Sequence, residues 1–75
     1  MKQYDIYIVQ FDIPQVALLF VGYLYTCSGA SNIKIKNSIV EFQAINRIIG
    51  NTYIREFQVM NPDLKLQFSN YCNNC

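Results

Sequence analysis

From Val16 to Tyr25 the chain reads VALLFVGYLY, a run of ten residues in which only Gly22 is neither apolar nor aromatic; no charged residue stands between Asp12 and Lys34. Such a stretch is buried in a sheet, in a core helix or in a membrane, and the choice among the three governs where every other segment goes. Its β-branched and aromatic side chains suit a strand, with Gly22 marking a bulge or a close approach of backbones. Ala17, Leu18 and Leu19 are compatible with a helix as the rival. A membrane span needs about 20 mostly apolar residues, and this run is shorter and gives way to the polar segment Ser28–Asn32. The run is therefore expected to be a strand, Val16–Cys27, paired as an antiparallel hairpin with the strand before it across a short connection.

That preceding strand spans Gln3–Ile13, where apolar residues fall at both parities, as in a strand covered on both faces for part of its length. Pro14 lacks an N–H and holds Ile13 extended, which ends the strand. Ser28–Asn32 has turn chemistry. Ile33–Lys36 alternates, with Ile33 and Ile35 inward and Lys34 and Lys36 in water. Ser38 and Glu41 have the spacing of a capping box, and Ile39, Phe42, Ile45 and Ile49, with Ile48 beside them, form a stripe at helical period. Gly50 and Asn51 then close a helix in the manner of a C′ glycine. Thr52–Met60 has strand composition, Asn61-Pro62-Asp63 fits a type I turn, and Leu64–Phe68 alternates, so the last two strands form a hairpin. The expected fold class is α+β: a single domain over residues 1–68, with a small antiparallel sheet or partly closed barrel in the order β-β-β-α-β-β and one helix packed on it. Residues 69–75 form a polar, flexible tail.

A chain of 75 residues buries only about 60% of its unfolded surface. This one is 52% hydrophobic and 15% charged, against about 25% charged in an average domain. It has too few polar residues to cover its own surface, so apolar or tyrosine-rich area is expected to be exposed, and a partner or second copy is the usual reason. Tyr4, Tyr23, Tyr25 and Tyr53 cannot all fit inside so small a globule, which makes them candidate protein-contacting residues. Tyrosine-rich sheet edges with few charges also invite pairing with another chain. The net charge of +1 weighs against general nucleic-acid binding. The alternative is a basic face of Lys34, Lys36, Arg47 and Arg55, joined by Lys65, with Tyr53 or Tyr71 stacking on bases; each of these cations also stands where a solvated face wants one.

The sequence contains no histidine, which removes imidazole catalysis and histidine–metal sites. Asp5, Asp12, Glu41, Glu56 and Asp63 show no paired spacing, and the glycines at 22, 29 and 50 belong to no phosphate-binding loop. No catalytic residue, cofactor or metal is expected. Cys72-Asn73-Asn74-Cys75 is the one chemical pattern. A structural zinc takes four ligands, and Cys27 is the only further thiol, so a metal would need two CxxC pairs from a dimer; a redox dithiol is the other chemical reading, and the simpler one is a pair of exposed thiols. An odd number of cysteines, with no secretory signal, points to a reduced cytoplasmic setting.

The opening segment Tyr4–Asp12, YDIYIVQFD, resembles the first strand of the MazF-type endoribonuclease toxins, which are small barrels. The likeness stops there: the Gly-rich basic loop and Arg-Pro-containing second strand of that family are absent. The sequence thus predicts a small non-enzymatic protein-binding module that acts through an exposed sheet edge or aromatic surface, on a protein partner or as a homodimer. A compact, motif-free chain with the bias toward Ile, Asn, Tyr, Phe and Lys expected of an AT-rich gene fits a phage or mobile-element inhibitor of a host protein. A nucleic-acid-associated protein and a membrane-associated one organised by Val16–Tyr25 are the alternatives.

Overall fold

The computed structural model describes residues 4–73 and contains β1 (Tyr4–Phe11), α1 (Pro14–Tyr25), β2 (Ala30–Lys36), β3 (Ile39–Ala44), α2 (Arg47–Met60) and β4 (Leu66–Asn73). The strands form one antiparallel sheet in the order β2-β3-β1-β4, and both helices pack on one face of it. The class is α+β, as expected, but the element order is β-α-β-β-α-β, a split βαβ arrangement with two helices and an open sheet.

The first correction concerns Val16–Tyr25, which is helical. Pro14 does more than end β1: it occupies the first turn of α1, where φ near −65° is required and no N–H is needed. Ala17, Phe20 and Leu24 are the buried residues of α1, a helical spacing that puts one face on the sheet. The second correction is the segment after Ser38. Asn37 adopts φ 56°, a left-handed conformation that asparagine tolerates, and Asn37-Ser38 is the tight connection between Lys36 and its cross-strand partner Ile39. Ser38 is thus a turn residue whose carbonyl accepts from the Phe11 N–H at 2.9 Å. In β3 the buried residues are Val40, Phe42 and Ala44, at period two.

The third correction places the second helix later in the chain. Asn46 is its N-cap, accepting from the Ile49 N–H at 2.9 Å, and Gly50 lies in its first turns. Gly50, Ile54 and Phe57 are the buried residues of α2, so Thr52–Met60 is helix. The Asn61–Leu64 turn forms as expected, closed by Leu64 N–H to the Asn61 carbonyl at 2.9 Å. The strand after this turn pairs not with its sequence neighbour but with β1, and it continues through Ser69–Asn73, where a loose tail was expected.

Every second residue of β1 (Tyr7, Val9, Phe11) and of β3 (Val40, Phe42, Ala44) meets Ala17, Phe20 and Leu24 of α1 and Ile54 and Phe57 of α2 in one core. Phe20 is its centre, with ring centroids 5.3 Å from Phe11, 5.0 Å from Phe57 and 5.8 Å from Phe42. Fully burying each such aromatic contributes about 1.5–3 kcal/mol. Tyr7 stacks on its cross-strand partner Phe42 at 5.2 Å. α2 approaches Tyr7 so closely that a Cβ on Gly50 would overlap the ring.

Candidate protein interface

The two edges of the sheet are built differently. β2 carries Lys34 and Lys36 and is interrupted by a bulge between Ser31 and Lys34, where Asn32 takes φ 49° and its amide donates to Gln43 Oε1 at 2.9 Å. Charge and bulging are the usual means of keeping a foreign strand off an edge. β4 has neither. It pairs with β1 residue for residue, from Phe11↔Leu66 to Tyr4↔Asn73, and LQFSNYCN contains no charge and no proline. Among the described residues no strand lies beyond it.

The ground beside β4 is also open. α2 packs mainly against β1 and β3, because Gly50 seats it on Tyr7 and Phe57 sits edge-on to Phe11 at 6.0 Å. β4 is left at the margin of the helix, and Phe68, on the helix-bearing face, is 46% exposed. Between them runs a groove of about 200 Å³ lined by Asn51, Ile54, Arg55, Gln58 and Phe68. Polar contacts hold one wall residue, Asn51, and tie β4 to β1 next to it. The Tyr7 hydroxyl lies 2.8 Å from Asn51 Oδ1 and 2.9 Å from the Arg47 carbonyl, and the Asn70 amide donates to Asp5 Oδ1 at 3.3 Å. Burial pushes the Tyr7 phenol above its ordinary range and the negative charge of Asp5 adds to this, against a smaller lowering by Arg47.

The four candidate tyrosines do not share a surface. Tyr23 and Tyr53 join the two helices, with rings edge to face at 6.3 Å. The Tyr23 hydroxyl donates to Glu56 Oε2 at 2.9 Å, and the Tyr53 hydroxyl accepts from the Gly29 N–H at 3.0 Å. Burial, then the hydrogen bond to Glu56, holds the Tyr23 phenol far above its ordinary value. Tyr4 lies on the opposite, helix-free face with Ile6, Ile8 and Gln10. Tyr25 is 72% exposed at the end of α1, in line with Leu18 at 60%, Leu19 at 62% and Gly22, so α1 is apolar on its outer side as well. The basic residues are also divided. Lys34 and Lys36 lie on the helix-free face at the β2 edge, whereas Arg47 and Arg55 belong to α2, and no single cationic face results.

Sequence reasoning missed Phe68 as a surface residue and missed the edge beyond it. The available signal was the period-two pattern of Leu66 and Phe68 carried on by Asn70, and the β-favouring Tyr71. Cys27 is a free thiol close to the Tyr23 carbonyl. Among the described residues no group of three or more potential ligands could hold a metal; Cys75, and with it the CxxC pattern as a unit, lies outside them. No helix of the described residues is long and apolar enough to cross a membrane. Comparison with known protein families, with curated proteins and with solved structures found no match.

Proposed function

We propose that the protein is a small non-enzymatic binding module that engages a protein partner by strand addition along β4. The observation that carries this reading is the contrast between the edges: β2 is charged and bulged, and β4 is regular, uncharged and without proline over its whole length. Its outward N–H and C=O groups form a row that an extended segment can satisfy, with main-chain hydrogen bonds supplying affinity and side-chain pockets supplying selectivity. Binding without chemistry is how an inhibitor acts, and the proposal extends to that role.

The test is to give β4 the protection that β2 has. Gln67 and Ser69 are exposed and on the helix-free face, so the double variant Gln67→Lys/Ser69→Lys keeps the fold and discourages pairing. Affinity capture from the encoding organism is then run with both proteins, with and without nuclease. A stoichiometric protein retained by the wild type after nuclease, and lost by the variant, is the expected result. Retention that disappears with nuclease would transfer the function to nucleic acid, and equal capture by both proteins would move the site off β4.

A second reading is favoured by Gly22. A solvent-facing mid-helix glycine costs about 0.5–1 kcal/mol relative to alanine, and nothing in the fold requires it, since a Cβ there would meet no atom within 4 Å. Together with exposed Leu18, Leu19 and Tyr25 on a helix that carries no charge, it suits close packing of α1 against α1 of a second copy. Sedimentation should then show a dimer that Leu18→Lys dissociates; a monomer at all concentrations rejects this reading.

A further inference from the structure

We infer that the segment taken up at β4 is an extended stretch in which an apolar residue alternates with an acidic one on the same side, the apolar side chain packing on Phe68 and the carboxylate meeting Arg55. This rests on the strand-addition reading and names the chemistry that the edge selects.

A strand added to β4 runs about 4.8 Å from it and points successive side chains to opposite faces of the sheet. On the helix-free side they lie beside Gln67, Ser69 and Tyr71, where no charged side chain of β4 meets them. On the other side they enter the groove between β4 and α2. Its floor is the half-exposed ring of Phe68 with Ile54, which rewards an apolar side chain. Among the described residues Arg55 is the only charged one lining it. Asn51, Ile54, Arg55 and Gln58 succeed one another along the side of α2 that overlooks β4, so a residue two positions from the apolar one is carried along the helix towards Arg55. A guanidinium at the rim of an apolar groove favours a carboxylate, which it can hold through two parallel hydrogen bonds.

The same geometry argues against a second copy as the occupant. β4 carries no carboxylate, so another β4 leaves Arg55 unmatched. Antiparallel β4–β4 pairing about a two-fold axis normal to the sheet would also put both α2 helices, and so both Arg55 cations, on one side of the joined sheet.

Selection from a displayed library of random peptides, with the full chain as bait, tests this, followed by anisotropy titration of the selected peptides. Enrichment of alternating apolar and acidic residues is expected. N-methylation of one alternate set of peptide amides should weaken binding by about tenfold or more, and the other set should be silent, the signature of one-sided strand pairing. Arg55→Glu should reverse the preference from acidic to basic peptides by a similar factor. Selected peptides that show the N-methylation signature without a charge preference would overturn this inference and leave strand addition standing. No enrichment, or affinity indifferent to N-methylation, would overturn both. Displacement of peptide by self-association through β4 would replace the proposed occupant with a second copy.

Discussion

Gly50 is where α2 meets the sheet, and the ring of Tyr7 fills the space its side chain would need. In sequence it stands after an apolar stripe and looks like a helix terminus. Its role is close approach, a property of the packed partner that no local pattern carries. Gly50→Ala raises intrinsic helix propensity by about 1 kcal/mol, but overpacking a filled core costs about 1–3 kcal/mol, and Tyr7 cannot retreat without giving up its contacts with Phe42 and α2. A lower urea midpoint at unchanged m-value is expected; a raised midpoint would mean that the ring is not under the helix. The buried phenols make a second prediction. Tyr7 and Tyr23 titrate above the ordinary value of 10.0 in the folded state, chiefly because burial disfavours the phenolate. A group raised on folding contributes stability that is complete below its unfolded pKa and is lost as pH rises through its folded pKa. Above pH 10 the unfolded chain releases protons that the native state retains, so stability falls. Urea midpoints should be flat across neutral pH and drop beyond pH 10, and the drop should be shallower in Tyr23→Phe. An unchanged alkaline slope in that variant would show that Tyr23 is solvated.

At the scale of elements, every strand but β3 is legible at least in part in the sequence, and the helices are not. β1 declares itself by its composition, and the Ile33–Lys36 part of β2 by its period. α1 hides its period because its outer face, Leu18, Leu19 and Tyr25, is as apolar as its inner one, so a helix exposed on one side reads as a continuous buried run. β3 misleads because Ile39, Phe42, Ile45 and Ile49 repeat at helical spacing by coincidence: Ile45 is exposed in the connection after β3, and Val40, Phe42 and Ala44 face the core. Two N-terminal signals compete, Ser38 with Glu41 and Asn46 with no acidic partner, and the turn chemistry of Asn37 decides between them. The caps can be separated experimentally. Asn46→Ala removes the acceptor for the Ile49 N–H and should cost about 1 kcal/mol. Ser38→Ala keeps the carbonyl that receives Phe11 N–H and should cost less than about 0.5 kcal/mol, as a surface substitution does. The reverse order in urea unfolding would restore the helix to Ser38.

For the molecule as a whole, the decisive pairing is between its first and last described strands. β1 is central, flanked by β3 on one side and β4 on the other, and the β4 contacts bring Tyr4 opposite Asn73. Nothing in a local window announces a partner so distant in sequence, which is why Ser69–Asn73 reads as tail and why the most open edge of the molecule goes unseen in its place. The consequence can be tested by ending the chain at Phe68, the boundary that local patterning suggests. The truncated protein keeps both helices, the core aromatics and the β2–β3–β1 ladder, and it loses the partners of Tyr4 through Ile8. It also loses Asn70, whose amide meets the buried carboxylate of Asp5. An uncompensated buried carboxylate and half a strand of open backbone together cost several kcal/mol. Small domains as a class are stable by only about 5–15 kcal/mol, with short chains at the low end. Far-UV circular dichroism and urea titration should find residues 1–68 unfolded or without a cooperative transition. Cooperative unfolding at the full-length midpoint would detach Ser69–Asn73 from the sheet and, with them, the edge on which the binding proposal depends.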